Sequence, residues 1–156
     1  MAVSVRYEVE GWGVGELWLD GATLMAHELP SGTGARPGPG GWPDNRLAER
    51  FRAYFAGARD SFTDVALDLE GCTSFQRAVV AALRRVRWGE VVTYGELAAL
   101  AGHPNAQRAA GSVCAHNRFA LVVPCHRVVA ADGIGSYGAS GVEVKRRLLE
   151  LEGVSL

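Results

Sequence analysis

Cys125 and His126 stand side by side in the run Pro124-Cys125-His126-Arg127-Val128, directly after the apolar stretch Ala120-Leu121-Val122-Val123. A thiol carried on ordered backbone beside an imidazole is the combination that makes a sulfur nucleophile. Neighbours on a regular strand point to opposite faces, so the pair alone is weak evidence. Pro124 changes that reading, because proline holds its predecessor extended and cannot donate to a central ladder. The strand is predicted to break there, so that both side chains converge on one side of a loop. A free cysteine is only a few per cent ionised at neutral pH, and lowering its pKa by one unit takes about 1.4 kcal/mol of differential stabilisation. One well-placed imidazole is enough.

The elements that must position this pair are legible on either side. Thr73-Ser74-Phe75-Gln76 has the pattern of a capping box and opens a predicted helix. Phe75, Val79, Leu83 and Val86 form its buried stripe, while Arg77, Arg84, Arg85 and Arg87 stay outside. Residues 93–100 read as a short helix, broken around Gly102-His103-Pro104, and Asn105 is expected to cap a second helix running to about His116. Two short helices joined by a tight turn make a helix-turn-helix. The second helix carries the small residues Ala106, Ala109, Ala110 and Gly111, with Arg108 projecting among them. Small residues allow close approach to the sugar and phosphate walls of a minor groove, where shape and a wedge matter more than base-edge hydrogen bonds. Tight packing on a neighbouring helix explains Ala109 and Ala110 equally well.

The first half reads differently. Residues 3–9 alternate apolar and polar, as do 14–19 more loosely and 22–29, with glycine-rich breaks between, so short strands of an antiparallel sheet are expected. Residues 30–44 are so rich in Gly and Pro that a mobile surface loop is expected. A helix is predicted over 46–56, with Leu47, Phe51, Tyr54 and Phe55 on one side and Gly57 beyond its end. Residues 64–70 are expected as an extended segment lying against the first sheet. The fold class is therefore α+β: a small sheet-containing support domain over 1–70 and a mainly helical domain over 71–156.

Bulk properties narrow the function. The chain of 156 residues carries a net charge of −1. Residues 1–70 hold six arginines against eleven carboxylates, whereas 71–156 hold ten basic residues against six carboxylates. A polyanion would thus meet the second half, with few phosphate contacts and a gentle salt slope. No stretch is apolar enough to span a membrane and no export signal is visible, so the cytoplasm is the expected compartment. Cys72, Cys114 and Cys125 lack framework spacing and suit reduced intracellular thiols. The short Cys114-x-His116 and Cys125-His126 do not have the spacing of a structural zinc site, so no metal is expected.

Residues 91–98 (VVTYGELA), 107–111 (QRAAG), Asn117, the Pro-Cys-His-Arg-Val element and residues 148–153 (LLELEG) stand in register. Over Thr73 to Gly153 the chain resembles the O6-alkylguanine-DNA alkyltransferases, suicide DNA-repair proteins. The resemblance implies a winged-helix-like second domain that moves an alkyl group irreversibly from O6 of guanine, and also from O4 of thymine, to Cys125. By matching position, His126 acts through a water, Glu152 orients it, and Tyr94 donates to N3 of the flipped base as charge develops. Arg108 enters the stack in place of the extruded nucleotide, offsetting an unstacking cost of roughly a few kcal/mol. Asn117 is the hinge tying the helix-turn-helix to the cysteine loop, and the carbonyls of Cys125 and Val128 read the exocyclic amine of guanine. Thr93, Ala109 and Gly111 contact DNA with Arg108, while Cys114, Val128 and Tyr137 line the pocket. The implied partners are double-stranded DNA bound through its minor groove and a flipped O6-alkylguanine. The protein is then a monomer needing no cofactor.

Three departures stand out. Arg118 replaces the proline that follows the family's hinge asparagine, which implies a looser loop; residues 136–141 (SYGASG) differ from the usual Gly-Tyr-Ser-Gly-Gly-like run, and Cys114 replaces a larger apolar residue, implying a wider pocket. Competing readings are a lesion-binding module without transfer, which Cys125 opposes, a helix-turn-helix regulator, which the small residues oppose, and a Cys-His hydrolase with multiple turnovers.

Overall fold

The computed structural model describes residues 1–32 and 37–156. The chain forms two compact units, Met1–Asp68 with Arg118–Ala120, and Leu69–Asn117 with Leu121–Leu156.

In the first unit β1 (Val3–Val9), β2 (Gly13–Asp20) and β3 (Thr23–Ser31) form an antiparallel meander. The expected extended segment supplies β4 (Ala66–Leu67), which pairs parallel to β3 through Thr23 and Leu24. Alternation sends Tyr7, Leu17 and Leu24 inward, all fully buried. Gly15 is paired with Tyr7, and a Cβ there would lie 2.5 Å from the Tyr7 ring, so only glycine leaves room for the phenol. Helix α1 (Arg46–Phe55) is capped by the Asn45 side chain, which accepts from Ala48 N, and buries Ala48, Phe51, Tyr54 and Phe55. Each large apolar side chain so buried contributes about 1.5–3 kcal/mol. Of the glycine- and proline-rich segment expected as a loop over 30–44, residues 33–36 lie outside the described residues. Strand β3 already takes in Pro30 and Ser31, and Gly41 N closes a turn onto Gly38 O.

Arg118, Phe119 and Ala120, which the 71–156 boundary assigns to the second domain, belong to the first unit. Their backbone pairs with β3: His27 N donates to Arg118 O at 2.7 Å and His27 bridges Phe119. The Arg118 guanidinium donates to Met25 O and Asp68 O and lies over the Phe119 ring. The arginine thus ties down by its side chain the position where proline was expected.

The second unit is helical. Helix α2 (Ser74–Leu83) opens with both halves of the Thr73/Gln76 capping box, and α3 (Tyr94–Leu100) opens with a second one made by Thr93 and Glu96. Helix α4 (Gln107–Ala115) has Ala106 at its N-cap with no side-chain bond. The Asn105 cap is therefore a correction: Asn105 has φ +72°, a left-handed turn residue one position too early to cap. Its short polar side chain suits that turn as well as a cap, which is why the residue type misleads. Helix α5 (Val142–Leu151) ends the unit, and β5 (Val92–Thr93) pairs parallel with β6 (Val128–Val129). That two-rung pairing sets the start of α3 beside the end of the cysteine loop. The core holds Val79, Leu83, Leu97, Ala98, Ala110, Val122, Val128, Leu148 and Leu149. Among the described residues no helix is long and apolar enough to cross a membrane.

Candidate active site

The strand breaks where Pro124 demands it. Cys125–Arg127 form a single 3-10 turn closed by Arg127 N donating to Pro124 O at 3.0 Å, with Cys125 N folded back onto Val123 O. Residues 121–129 are buried throughout. Within the turn His126 Nε2 lies 2.8 Å from Glu152 Oε2, and Arg127 grips the same carboxylate through Nε at 2.8 Å and Nη2 at 2.9 Å. Arg127 also donates to Val86 O at 2.7 Å. Burial raises the Glu152 carboxyl, but the bonds from His126 and Arg127 outweigh it and hold the group well below the usual carboxylate range. Glu152 is therefore ionised and can only accept, so His126 Nε2 carries the ring proton and Nδ1 the lone pair. Burial lowers the His126 pKa more than Glu152 raises it, which leaves a neutral imidazole. Its Nδ1 is buried without a hydrogen-bond partner among the described residues.

Cys114 reaches the same place from α4. Asn117 N bonds Cys114 O at 3.3 Å, and Asn117 Nδ2 donates to Val123 O at 2.9 Å, tying the end of α4 to the residues just before Cys125. The Cys114 and Cys125 thiols are neighbours that act on each other's ionisation, and the Asn117 side chain favours the Cys125 thiolate. Contact with Cys114 and then burial push the Cys125 thiol up, against Asn117 and Lys145, which pull it down. Cys114 is lowered by Cys125 and Lys145 despite its burial.

Lys145 and Arg127 are site residues that the sequence reading missed. Lys145 is fully buried on α5, donates to Ser136 O at 2.9 Å and lies 5.9 Å from the Tyr94 ring centre. Burial pulls its pKa down to about 8 while the two thiols raise it. The signal was present: residues 145, 148, 149 and 152 recur at helical spacing and place a lysine and a glutamate on the buried stripe of α5. Arg127 stood in the motif, but nothing in its spacing announced Glu152 as a partner.

The remaining candidates divide. Tyr94 opens α3, its hydroxyl is 3.5 Å from Ser136 O, and its ring lies against Gly111, where a Cβ would sit 3.6 Å away. Burial, then Cys114, raises its pKa. Tyr137 stands edge-on to His126, ring centres 6.5 Å apart, and burial raises its pKa strongly. Val128 is fully buried and paired with Val92. Thr93 spends its hydroxyl on Glu96 N. Arg108 and Ala109 are exposed on α4, Gly111 is half-buried, and Ala110 is fully buried in the core. The structure so brings together Cys125, His126, Glu152, Asn117, Cys114, Tyr94 and Tyr137, and leaves Arg108 and Ala109 on an outer face. No cluster of three or more metal-binding side chains exists among the described residues. A buried thiol, a neutral imidazole with a spare lone pair and a tyrosine hydroxyl make a site for attack by sulfur.

The family described as the DNA-binding domain of 6-O-methylguanine DNA methyltransferase matches residues 74–154. Methylated-DNA–protein-cysteine methyltransferases from Mycobacterium bovis and Methanosarcina acetivorans are 46% identical over 124 residues and 44% identical over 120 residues. The first alignment covers 79% of this chain and 72% of the relative, the second 74% and 76%. Among solved structures, OGT from Mycobacterium tuberculosis in complex with DNA is 37% identical with a TM-score of 0.78, covering 96% of this chain and 92% of that one. An O6-methylguanine-DNA methyltransferase from Pyrococcus kodakaraensis is 29% identical with a TM-score of 0.72, covering 99% and 100%.

Proposed function

Because this chain belongs to the 6-O-methylguanine DNA methyltransferase family, we propose that it repairs DNA by moving a methyl group from O6 of guanine irreversibly onto the sulfur of Cys125. The observation that carries this reading is the wiring of His126: Nε2 is committed to an ionised Glu152, and Nδ1 is left with a lone pair on the residue that follows the buried Cys125. In the transfer the S–C bond forms as the C–O6 bond breaks, the cysteine proton passes to the His126 side through a bridging water, and the purine takes the negative charge. Tyr94 donates to that charge, which stabilises the transition state more than the ground state. A thioether is a poor leaving group, so each molecule acts once.

Recognition follows from α3 and α4 read as a helix-turn-helix within a winged-helix-like domain. The small residues Ala109 and Gly111 let α4 approach the minor groove, and Arg108 fills the stack vacated by the flipped base. Thr93, at the start of α3, adds a backbone-side contact to DNA, and Cys114, Val128 and Tyr137 form the pocket wall. Asn117 holds that wall to the cysteine loop. O4-alkylthymine is a secondary substrate, the protein works as a monomer, and it acts in the cytoplasm, where three free thiols stay reduced. The test is label transfer from a duplex carrying one radiolabelled O6-methylguanine. Wild-type protein should become labelled to one equivalent and C125S should not; labelled C125S overturns the reading.

A further inference from the structure

The known chemistry uses one sulfur, yet the site holds two. Cys114 and Cys125 are eleven positions apart in the sequence and meet because a short chain of hydrogen bonds folds the end of α4 onto the cysteine loop. Asn117 N bonds Cys114 O, Asn117 Nδ2 bonds Val123 O, and Cys125 N bonds the same carbonyl. That fold makes the two thiols electrostatic neighbours, with the Lys145 ammonium close enough to favour negative charge on both. Cys114 is the more accessible of the two, half-buried where Cys125 is buried. A thiol that reaches solvent and ionises readily, next to a second thiol that can resolve it, is the arrangement of a peroxide-responsive pair. The third cysteine, Cys72, lies in the turn ahead of α2, its N–H on Leu69 O.

We propose that Cys114 and Cys125 form an oxidation site at which a hydroperoxide closes an intramolecular disulfide, capping the alkyl acceptor until a dithiol reopens it. The Cys114 sulfur attacks the distal peroxide oxygen, the O–O bond breaks, and an alcohol or water departs with the thiol proton, leaving a sulfenic acid. Cys125 then attacks the Cys114 sulfur, the S–O bond breaks, and the hydroxyl leaves as water with the Cys125 proton. Two electrons pass from the two thiols to the peroxide, which balances the step. While the disulfide holds, Cys125 has no thiolate to offer an alkyl carbon and is protected from irreversible over-oxidation. The capping rests on Cys125 being the alkyl acceptor; the disulfide does not.

The full chain, fully reduced, is treated with hydrogen peroxide at increasing ratio, and three quantities are read: intact mass, the non-reducing tryptic map, and label acceptance from an O6-methylguanine duplex. Wild-type protein should lose two hydrogens and yield a species linking peptides 109–118 and 119–127. Acceptance should fall in step with that species and return with dithiothreitol, and C72S should behave the same way. C114S, folded by circular dichroism and compared with its own untreated activity, should form no link. Its Cys125 should gain oxygens instead, and dithiothreitol should not restore its acceptance. Oxygen addition at Cys125 of the wild type without a link, a link through Cys72, or full recovery of C114S would each overturn the site. A 114–125 link with undiminished acceptance would overturn the capping, and with it the choice of Cys125 as acceptor.

Discussion

His27 in the first unit and His126 in the second are both buried and both held below the ordinary imidazole pKa by burial, yet their nitrogens are used in opposite ways. His27 has both filled: Nδ1 lies 2.6 Å from Ala120 O and Nε2 2.6 Å from the Tyr7 hydroxyl, while its ring stacks on Phe51 at 3.8 Å. A carbonyl can only accept, so Nδ1 carries the proton and Tyr7 donates to Nε2. Nothing in that arrangement can take or give a proton without breaking a buried bond. His126 has one nitrogen fixed by a carboxylate and the other uncommitted. A histidine with both nitrogens occupied clasps chain segments together, and one with a spare nitrogen is placed to do chemistry.

The comparison can be broken by exchanging the two outcomes. Removing the carboxylate should have the largest effect: E152Q leaves Arg127 buried without its anion and should cost about 3–5 kcal/mol in urea unfolding. The same variant should slow single-turnover methyl transfer by about 10–100-fold, as losing the partner that orients a functional histidine does. H126Q should slow transfer by about a hundredfold while the protein stays folded, measured by rapid quench. For the first unit, acid should expose what His27 holds. Its folded pKa of about 4 lies below the ordinary 6.5, so between those values the unfolded chain binds the extra proton and stability falls as pH falls. The loss from this group reaches about 3 kcal/mol by pH 4, is absent above pH 6.5, and is joined by a loss of the same sign from His126. H27Q should flatten that slope and cost about 1–3 kcal/mol at neutral pH, with transfer rates unchanged in the folded protein. If H27Q instead slows transfer as H126Q does, the distinction between clasp and chemistry fails. The smallest effect is expected from R108A, exposed on α4: transfer from duplex should fall about tenfold and transfer from a free modified base hardly at all. Equal losses on both substrates would count against its insertion into the base stack.

What sequence could reveal follows the range of the interactions. The Thr73/Gln76 capping box, the three strands of the meander and the break at Pro124 are local patterns, and the residues that make them lie within a few positions of each other. The cysteine, its histidine and Glu152 were legible through a family motif. What stayed hidden depends on distant partners. Ala120 is held by His27, 93 positions away, which is why Arg118–Ala120 leave the domain their position suggests. Lys145 reads as an ordinary charge on an amphipathic helix until the neighbouring thiols and Ser136 O appear around it. Cys114 looked like a small residue widening a pocket, and only the fold reveals the second thiol beside it. Asn105 misled because the residue types that cap helices are also those that tolerate left-handed turns.

Peptide mapping after reaction with one equivalent of an O6-methylguanine duplex tests the assignment of the nucleophile most directly, because it tells Cys125 from its neighbour Cys114. A single methyl per molecule, on the Cys125 sulfur in peptide 119–127, is the expected result. A methyl on Cys114, or none in folded protein exposed to intact lesion, would contradict it.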